Sequence, residues 1–177
     1  MPVARGVVIS LARLNRILEV DLDRRRVIVE PGVTNLAITK AVADDGFYYA
    51  PDPSSQQVCT IGGNVAENSG GVHCLKYGLT LHNVLKVRGF TAAGEAVTFG
   101  GDALDAPGLD LLAAVVGSEG MLAVIFEVTV RLLPMPETAR CIIASFDEVR
   151  RAGEAVAAII AAGIVPAGLE MMDKRMT

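Results

Sequence analysis

Between Ala50 and Gly71 the sequence gathers the residue types that can hold a nucleotide without basic side chains. The run Ala50-Pro51-Asp52-Pro53-Ser54-Ser55 is followed by Thr60-Ile61-Gly62-Gly63-Asn64-Val65-Ala66-Glu67-Asn68-Ser69-Gly70-Gly71. Glycine accepts positive φ and lets a ligand approach the backbone, so successive N–H groups can converge on phosphate oxygens. The chemistry expected is the grip of a dinucleotide pyrophosphate by amide hydrogens. A glycine-rich turn that only reverses the chain is the alternative, and a shorter segment would favour it. The spacing departs from Gly-x-Gly-x-x-Gly, and no Gly-Lys-Ser or Gly-Lys-Thr follows, which disfavours a Rossmann NAD site and gives a P-loop hydrolase no support.

A second segment, Val116-Gly117-Ser118-Glu119-Gly120-Met121-Leu122-Ala123-Val124-Ile125, brings a glycine-flanked Ser-Glu pair into a strand. Its backbone edges could grip a flat ring, although taken singly it reads as an ordinary tight turn. His73 and Cys74 follow the second glycine pair. A lone histidine in a polar loop is more often a hydrogen-bonded structural residue than a base, and Cys74 reads as an inert buried thiol because Lys76 is the one nearby cation. No catalytic residue is assigned.

The whole-chain properties narrow the function further. Of 177 residues, 51% are hydrophobic and 20% charged, as in a folded protein. The net charge of −4 with no basic stripe argues against nucleic acid, so any anion must be held locally. Cys59, Cys74 and Cys141 form no Cys-x-x-Cys pair, and with only His73 and His82 present a metal site would have to be improvised. A reducing cytoplasm fits the thiols. Met1 to Gly6 shows no signal peptide, and the apolar stretch Ala155 to Leu169, broken by Gly163 and Pro166, is too short for the roughly 20 residues that span a bilayer.

These segments need elements to position them. Val7 to Ile9 reads as a short strand, and Ile17 to Asp21 with Arg26 to Glu30 as a hairpin. Thr34 or Asn35 can cap a helix over Leu36 to Ala43, stopped by Gly46. Tyr49 to Tyr77 loses any sustained period and reads as one long ordered loop, the functional centre. Val84 to Phe90 and Ala96 to Phe99 make a second hairpin, Leu109 to Val116 a short helix, and Leu122 to Leu133 a long strand closed by Pro134 and Pro136. Cys141 to Ala144 reads as a strand, and Ser145 with Glu148 as a capping box for a helix through Ala162 carrying Val149, Val156 and Ile160. Hairpins and helices without a βαβ period predict an α+β fold with a largely antiparallel sheet.

Taken together, Tyr49 to Ser55, Gly62 to Gly71, Gly71 to Thr80 and Gly117 to Gly120 resemble the PCMH-type FAD-binding domain of the vanillyl-alcohol oxidase superfamily, in its branch of flavin-linked 2-hydroxy acid dehydrogenases. The resemblance covers essentially the whole chain. It implies a partial domain, mainly the antiparallel-sheet subdomain with flanking helices, over 1–138, and the start of a C-terminal cap domain over 139–177. It implies FAD as the cofactor, lined by Pro51, Asp52, Pro53, Ser54, Thr60, Gly62, Gly63, Asn64, Ala66, Asn68 and Gly70, and from the second segment by Glu119, Gly120, Leu122, Val124 and Ile125. It further implies hydride transfer from a small 2-hydroxy acid such as glycolate to the flavin. Partner subunits, one carrying iron–sulfur clusters, and a place in the cytoplasm or at the inner membrane within a complex follow in the same way.

Departures from that family pattern set further expectations. Ala123 stands where glycine is usual and Phe126 where a small threonine is usual in the following strand; one added methyl beside a tightly held cofactor is expected to cost contact geometry and loosen FAD binding. The family's Pro-Arg-Gly-x-Gly segment upstream and most of its cap domain downstream have no counterpart, so the chain is expected to be truncated and inactive by itself, with the catalytic groups elsewhere. Loss of a neighbouring subdomain would bare apolar surface and invite self-association or another partner. D-lactate and other 2-hydroxy acid enzymes share the same loops, which leaves the substrate open.

Overall fold

A computed structural model describes residues 6–102 and 108–172. The residues Met1 to Arg5, part of the signal-peptide reading, and the 173–177 end of the second domain lie outside the described residues.

Alternating valines build the core. Strands β1 (Ile17–Asp21), β2 (Arg26–Val29), β4 (Val84–Phe90), β5 (Ala96–Gly100) and β6 (Val124–Arg131) form one antiparallel sheet in the order β1-β2-β6-β4-β5. The register places Val27, Val130 and Val84 in one cross-strand row and Val29, Val128 and Val87 in the next. All six are essentially inaccessible. Branched side chains in adjacent rows pack well on a pleated surface, and a one-residue slip would turn the whole set outward.

Helix α1 (Asn35–Val42) presents Ile38 and Val42, and α2 (Ile61–Glu67) presents Ile61 and Val65, to the same apolar cluster. Each pair is spaced i, i+4, which puts both side chains on one helix face. Helix α4 (Leu111–Val115) adds Leu112 and Val115. Its Asp110 side chain accepts from the Ala113 N–H at 3.0 Å and fixes where the helix starts. A second, two-stranded sheet joins β3 (Phe47–Tyr48) to β7 (Leu133–Pro134). The single long strand expected from Leu122 to Leu133 is therefore two strands in two sheets.

Other expectations need correction. Tyr49 to Tyr77 is not one loop, since it holds α2 and the short helix α3 (Cys74–Tyr77), and a 3-10 turn follows over Thr80–Asn83. The two glycines and the asparagine of α2 hid a helical face that only Ile61 and Val65 mark. Val7 to Ile9 and Cys141 to Ala144 are irregular and exposed, because neither run lies beside a strand that could complete its ladder. The Ser145 capping box does not form; Glu148 is the N-cap of α5 (Val149–Ala161), with no side-chain bond to the helix. At α1, Thr34 is the cap by backbone conformation alone, and the Asn35 N–H is satisfied by the Cys59 carbonyl at 3.0 Å.

The entry to the first hairpin is closed by charge. Glu30, 5% exposed, accepts from the Arg16 backbone N–H at 2.8 Å and from its guanidinium at 2.8 and 3.2 Å. Those hydrogen bonds hold its carboxyl below the usual carboxylate range. A lowered folded pKa means that this contribution is complete above the unfolded value and is lost as pH falls through the folded one. Urea midpoints measured from pH 7 down to pH 3 should therefore fall less steeply for Glu30→Gln than for the parent chain. Core burial gives a second expectation. Ile38→Ala should cost about 2–5 kcal/mol, whereas Ile142→Ala, at a site 91% exposed, should change the urea midpoint little.

Candidate functional site

Helix α2 forms where the paired glycines were expected to cradle an anion. Thr60 is extended and its hydroxyl accepts from the Gly63 N–H at 3.3 Å, which starts the helix. The Ile61 N–H donates to Val33 O at 2.8 Å and the Gly62 N–H to Pro31 O at 2.9 Å. The first-turn donors are thus taken by the protein's own chain, and the expected amide cradle does not form at Gly62 and Gly63. Glycine is needed at position 62 for another reason: a Cβ there would lie 2.6 Å from the Pro31 Cβ. Gly70 and Gly71 likewise serve chain-on-chain packing, against Cys74 and Leu79 and against the Asp52 carbonyl.

The other end of α2 meets the Ser-Glu turn. The Gly117 N–H donates to Val65 O at 2.8 Å and the Glu119 N–H to Ala66 O at 2.9 Å, so the turn caps the helix's last carbonyls. Three residues of the turn have positive φ: Gly117 at 85°, Glu119 at 54° and Gly120 at 75°. Glu119 pays for that geometry with mild strain and caps through its backbone. At the end of α2, Asn68 is also left-handed, at φ 51°, and its Oδ1 accepts from the Leu81 N–H at 3.0 Å.

Between α2 and this turn lies a cleft of about 180 Å³. Of the residues singled out from the sequence, Gly62, Ala66, Gly120, Val124 and Ile125 line it. Glu119 and Leu122 flank it in the chain, Thr60 caps the helix, and Asn64 is buried beneath with its Nδ2 unpartnered. Pro51, Asp52, Pro53, Ser54 and Gly70 do not line it; the Asp52 carboxylate instead meets the His73 ring, and Gly70 packs on Cys74 and Leu79. Sequence reasoning missed Val65, Val115, Ile9 and Leu11 in the walls. The i, i+4 pairing of Ile61 with Val65 was the available signal. Ala123 does line the cleft, while Phe126 does not. Phe126 is the extra residue where the β4–β6 register slips between Arg88 and Gly89, and its ring stacks on Phe90 at 5.2 Å and under the Arg88 guanidinium at 5.5 Å, away from the site.

The walls are apolar, and Ser118 supplies the only polar side chain among the lining residues. At Gly120 a Cβ would meet nothing within 4 Å, so the backbone there faces open space. Such a surface suits a flat ring and offers no positive charge to a phosphate. Its volume is below the about 300–1,000 Å³ usual for ligand pockets, so it fits part of a dinucleotide. A larger hollow of about 510 Å³ on the outer sheet face contains none of the predicted residues; its Glu19, Lys86, Arg88 and Glu127 are a charged surface rather than a ring site.

Residues 2–100 match the family described as FAD binding domain. The chain belongs to this FAD-binding family. Residues 135–177 match the family described as FAD linked oxidases, C-terminal domain. The chain is 62% identical over 173 residues to "Glycolate oxidase subunit GlcD" of Escherichia coli K12, covering 98% of this chain and 35% of that protein. It is 42% identical to the protein of the same name from Bacillus subtilis, covering 98% and 37%, and 35% identical to "D-lactate dehydrogenase" of Archaeoglobus fulgidus, covering 99% and 39%. The chain thus spans little more than a third of the length of these relatives. Among solved structures, alkyldihydroxyacetonephosphate synthase superposes with a TM-score of 0.73 at 24% identity, over 89% of this chain and 28% of that one. That likeness supports the expected α+β, antiparallel-sheet, PCMH-type fold.

The two adjacent glycines of α2 should respond oppositely to a methyl. Gly62→Ala must displace Pro31 and should lower the urea midpoint. Gly63→Ala, whose Cβ would meet only the Thr60 hydroxyl at 3.4 Å, should raise stability by about 0.5–1 kcal/mol, the usual gain of alanine over glycine inside a helix.

Proposed function

We propose that this chain is the FAD-binding portion of a flavin-dependent dehydrogenase of small 2-hydroxy acids, with glycolate the favoured substrate. The observation that carries the reading is the apolar cleft in which α2 and the Ser-Glu turn meet within a chain of the FAD-binding family. Ala66, Gly120, Val124 and Ile125 would face the cofactor directly, and Gly62 would set the close approach of the helix. Thr60, Gly63, Asn64, Asn68, Glu119 and Leu122 would shape the same wall from behind or beside it. Pro51, Asp52, Pro53, Ser54 and Gly70 would line a further stretch of the extended dinucleotide.

FAD, when bound, supplies the acceptor for the hydride from the substrate's α-carbon. This chain's own part is to bind, orient and exclude water. With Ser118 the only polar side chain in the cleft, proton transfer has no base among its lining residues. The catalytic acid–base groups are assigned to the rest of the enzyme. We place the domain boundary at 138/139, close to where the C-terminal family match begins. The partners proposed are the other subunits of a glycolate oxidase, one with iron–sulfur clusters, working in the cytoplasm or at the inner membrane. No described helix is long and apolar enough to cross a membrane.

A second reading, that the isolated chain acts as an inactive interaction module or self-associates, is favoured by one observation. Helix α5 has an apolar side and buries no residue, and Ile142 and Ile143 before it are more than nine-tenths exposed. Gel filtration separates the two readings, because a well-behaved monomer speaks against the module. D-lactate remains the competing substrate within the main reading.

Titration calorimetry of the purified chain with FAD should show binding, and Ala66→Phe, which fills the cleft from a solvent-facing turn of α2, should weaken it at least tenfold while leaving the urea midpoint nearly unchanged. Absence of heat with the parent chain would refute FAD binding by this portion.

A further inference from the structure

The Pro51–Pro53 segment is short of internal freedom and is held from two sides. Proline on either side of Asp52 restricts the backbone, so the segment moves as a unit. From the interior, Asn35 of α1, 1% exposed, donates its Nδ2–H to Pro51 O at 3.0 Å. From the outside, His73 Nδ1 lies 2.5 Å from Asp52 Oδ2 across 21 residues of sequence. The second carboxylate oxygen, Oδ1, is buried and has no partner. Gly71 rests on the Asp52 carbonyl so closely that a Cβ would come within 2.4 Å of it. Gly168, from the C-terminal segment, lies beside the same turn: a Cβ there would meet Val72 O at 3.0 Å and His73 Cδ2 at 3.7 Å. His73 therefore sits where the Pro51–Pro53 segment, the Gly70–Cys74 turn and the C-terminal segment converge.

We propose that His73 is a positioning residue: its Nδ1–H, bonded to the Asp52 carboxylate, holds the Pro51–Ser54 segment on the Gly70–Gly71 turn in the arrangement that receives the cofactor. The inference rests on the reading that FAD binds along these segments. The neighbourhood is consistent with a bond that sets direction rather than a catalytic group. Tyr77 lies 6.3 Å away ring to ring, Tyr48 meets Tyr77 edge-on at 6.1 Å, and Lys76 sits over the Tyr77 ring at 5.5 Å. Tyr77 stands beside the imidazole on one side and Gly168 lies near it on another, with the His73 side chain 39% exposed. Two handles then fix three residues. Asn35 anchors the carbonyl before Asp52, and His73 anchors the side chain of Asp52 itself, so removing either leaves the segment a hinge.

The test separates a hydrogen-bonding role from a packing role by geometry. Asparagine places an N–H near the position of His73 Nδ1, whereas phenylalanine keeps the ring and loses the donor. FAD dissociation constants would be measured by calorimetry for the parent chain, His73→Asn, His73→Phe, Asp52→Ala and the pair His73→Phe with Asp52→Ala, each with its urea midpoint. The expected result is retention within threefold for His73→Asn and a loss of tenfold or more for His73→Phe, with the double variant no weaker than Asp52→Ala alone. Equal binding by His73→Phe and the parent, or additive losses in the double variant, would overturn the proposal while leaving FAD binding intact. No binding by the parent chain would remove the functional reading first and this inference with it.

Discussion

The arrangement depends on two backbone hydrogen bonds, from the Gly117 and Glu119 N–H groups to the carbonyls of Val65 and Ala66. They are the caps that finish α2, and they are also the joint that brings the Ser-Glu turn to the helix. A helix of seven residues is too short to persist by its own propensity. It survives because Ile61 and Val65 are buried under it, the Thr60 hydroxyl starts it, and the turn ends it. Without that joint there would be a glycine-rich segment on one side and a tight turn on the other, and no cleft between them. The left-handed backbone at Gly117, Glu119 and Gly120 is what aims the N–H groups back at the helix end.

Legibility in the sequence followed the period of the apolar residues. The hairpins of the main sheet were read at nearly their observed bounds, because Val27 and Val29, Leu85 and Val87, and in the long strand Val128 and Val130, stand two apart where a half-buried strand needs them. Helix α2 was read as loop because three successive positions carry Gly, Gly and Asn, which give weak helical signal; its evidence was tertiary, in the burial of Ile61 and Val65. The split between β6 and β7 was equally invisible, since Leu132 and Leu133 continue the apolar run while the chain crosses to a second sheet. At the site, residue types were informative and roles were not. Gly62, Gly70 and Gly71 are required, yet for contacts with Pro31, Cys74 and Asp52. The partnership of Asp52 with His73 had no local signature, because hydrogen bonds across 21 residues leave no trace in spacing.

Charge is distributed in a way that fits the proposed division of labour. The outer face of the sheet carries a network in which Arg26, 8% exposed, is flanked by Asp21, Glu19 and Asp102, and Asp102 also accepts from Lys86 at 3.3 Å. The neighbouring Lys86 and Arg26 hold the Asp102 carboxyl below its ordinary range. These ions compensate one another, and Arg88 likewise faces Glu127. The cleft by contrast has no ion at all among its lining residues. A neutral, apolar wall of this kind suits a flat ring and offers no charge to a phosphate.

The two departures from the family pattern can now be weighed separately. Phe126 bulges out of the ladder and stacks with Phe90 and Arg88 on the outer face, so its ring replaces a smaller group where there is space and does not touch the cleft. The bulge makes this tolerable: with two residues of β6 facing one of β4, Glu127 still reaches Arg88 at 3.2 Å while Phe126 lies beside it. Ala123 is different in kind, since it is 5% exposed and part of the wall. Its methyl is already packed in the chain, so it narrows the cleft by a fixed amount without destabilising the fold. At Gly120, also on the wall, a Cβ would meet nothing within 4 Å, so the cleft is closed in by a packed methyl at one lining position and left open at the other.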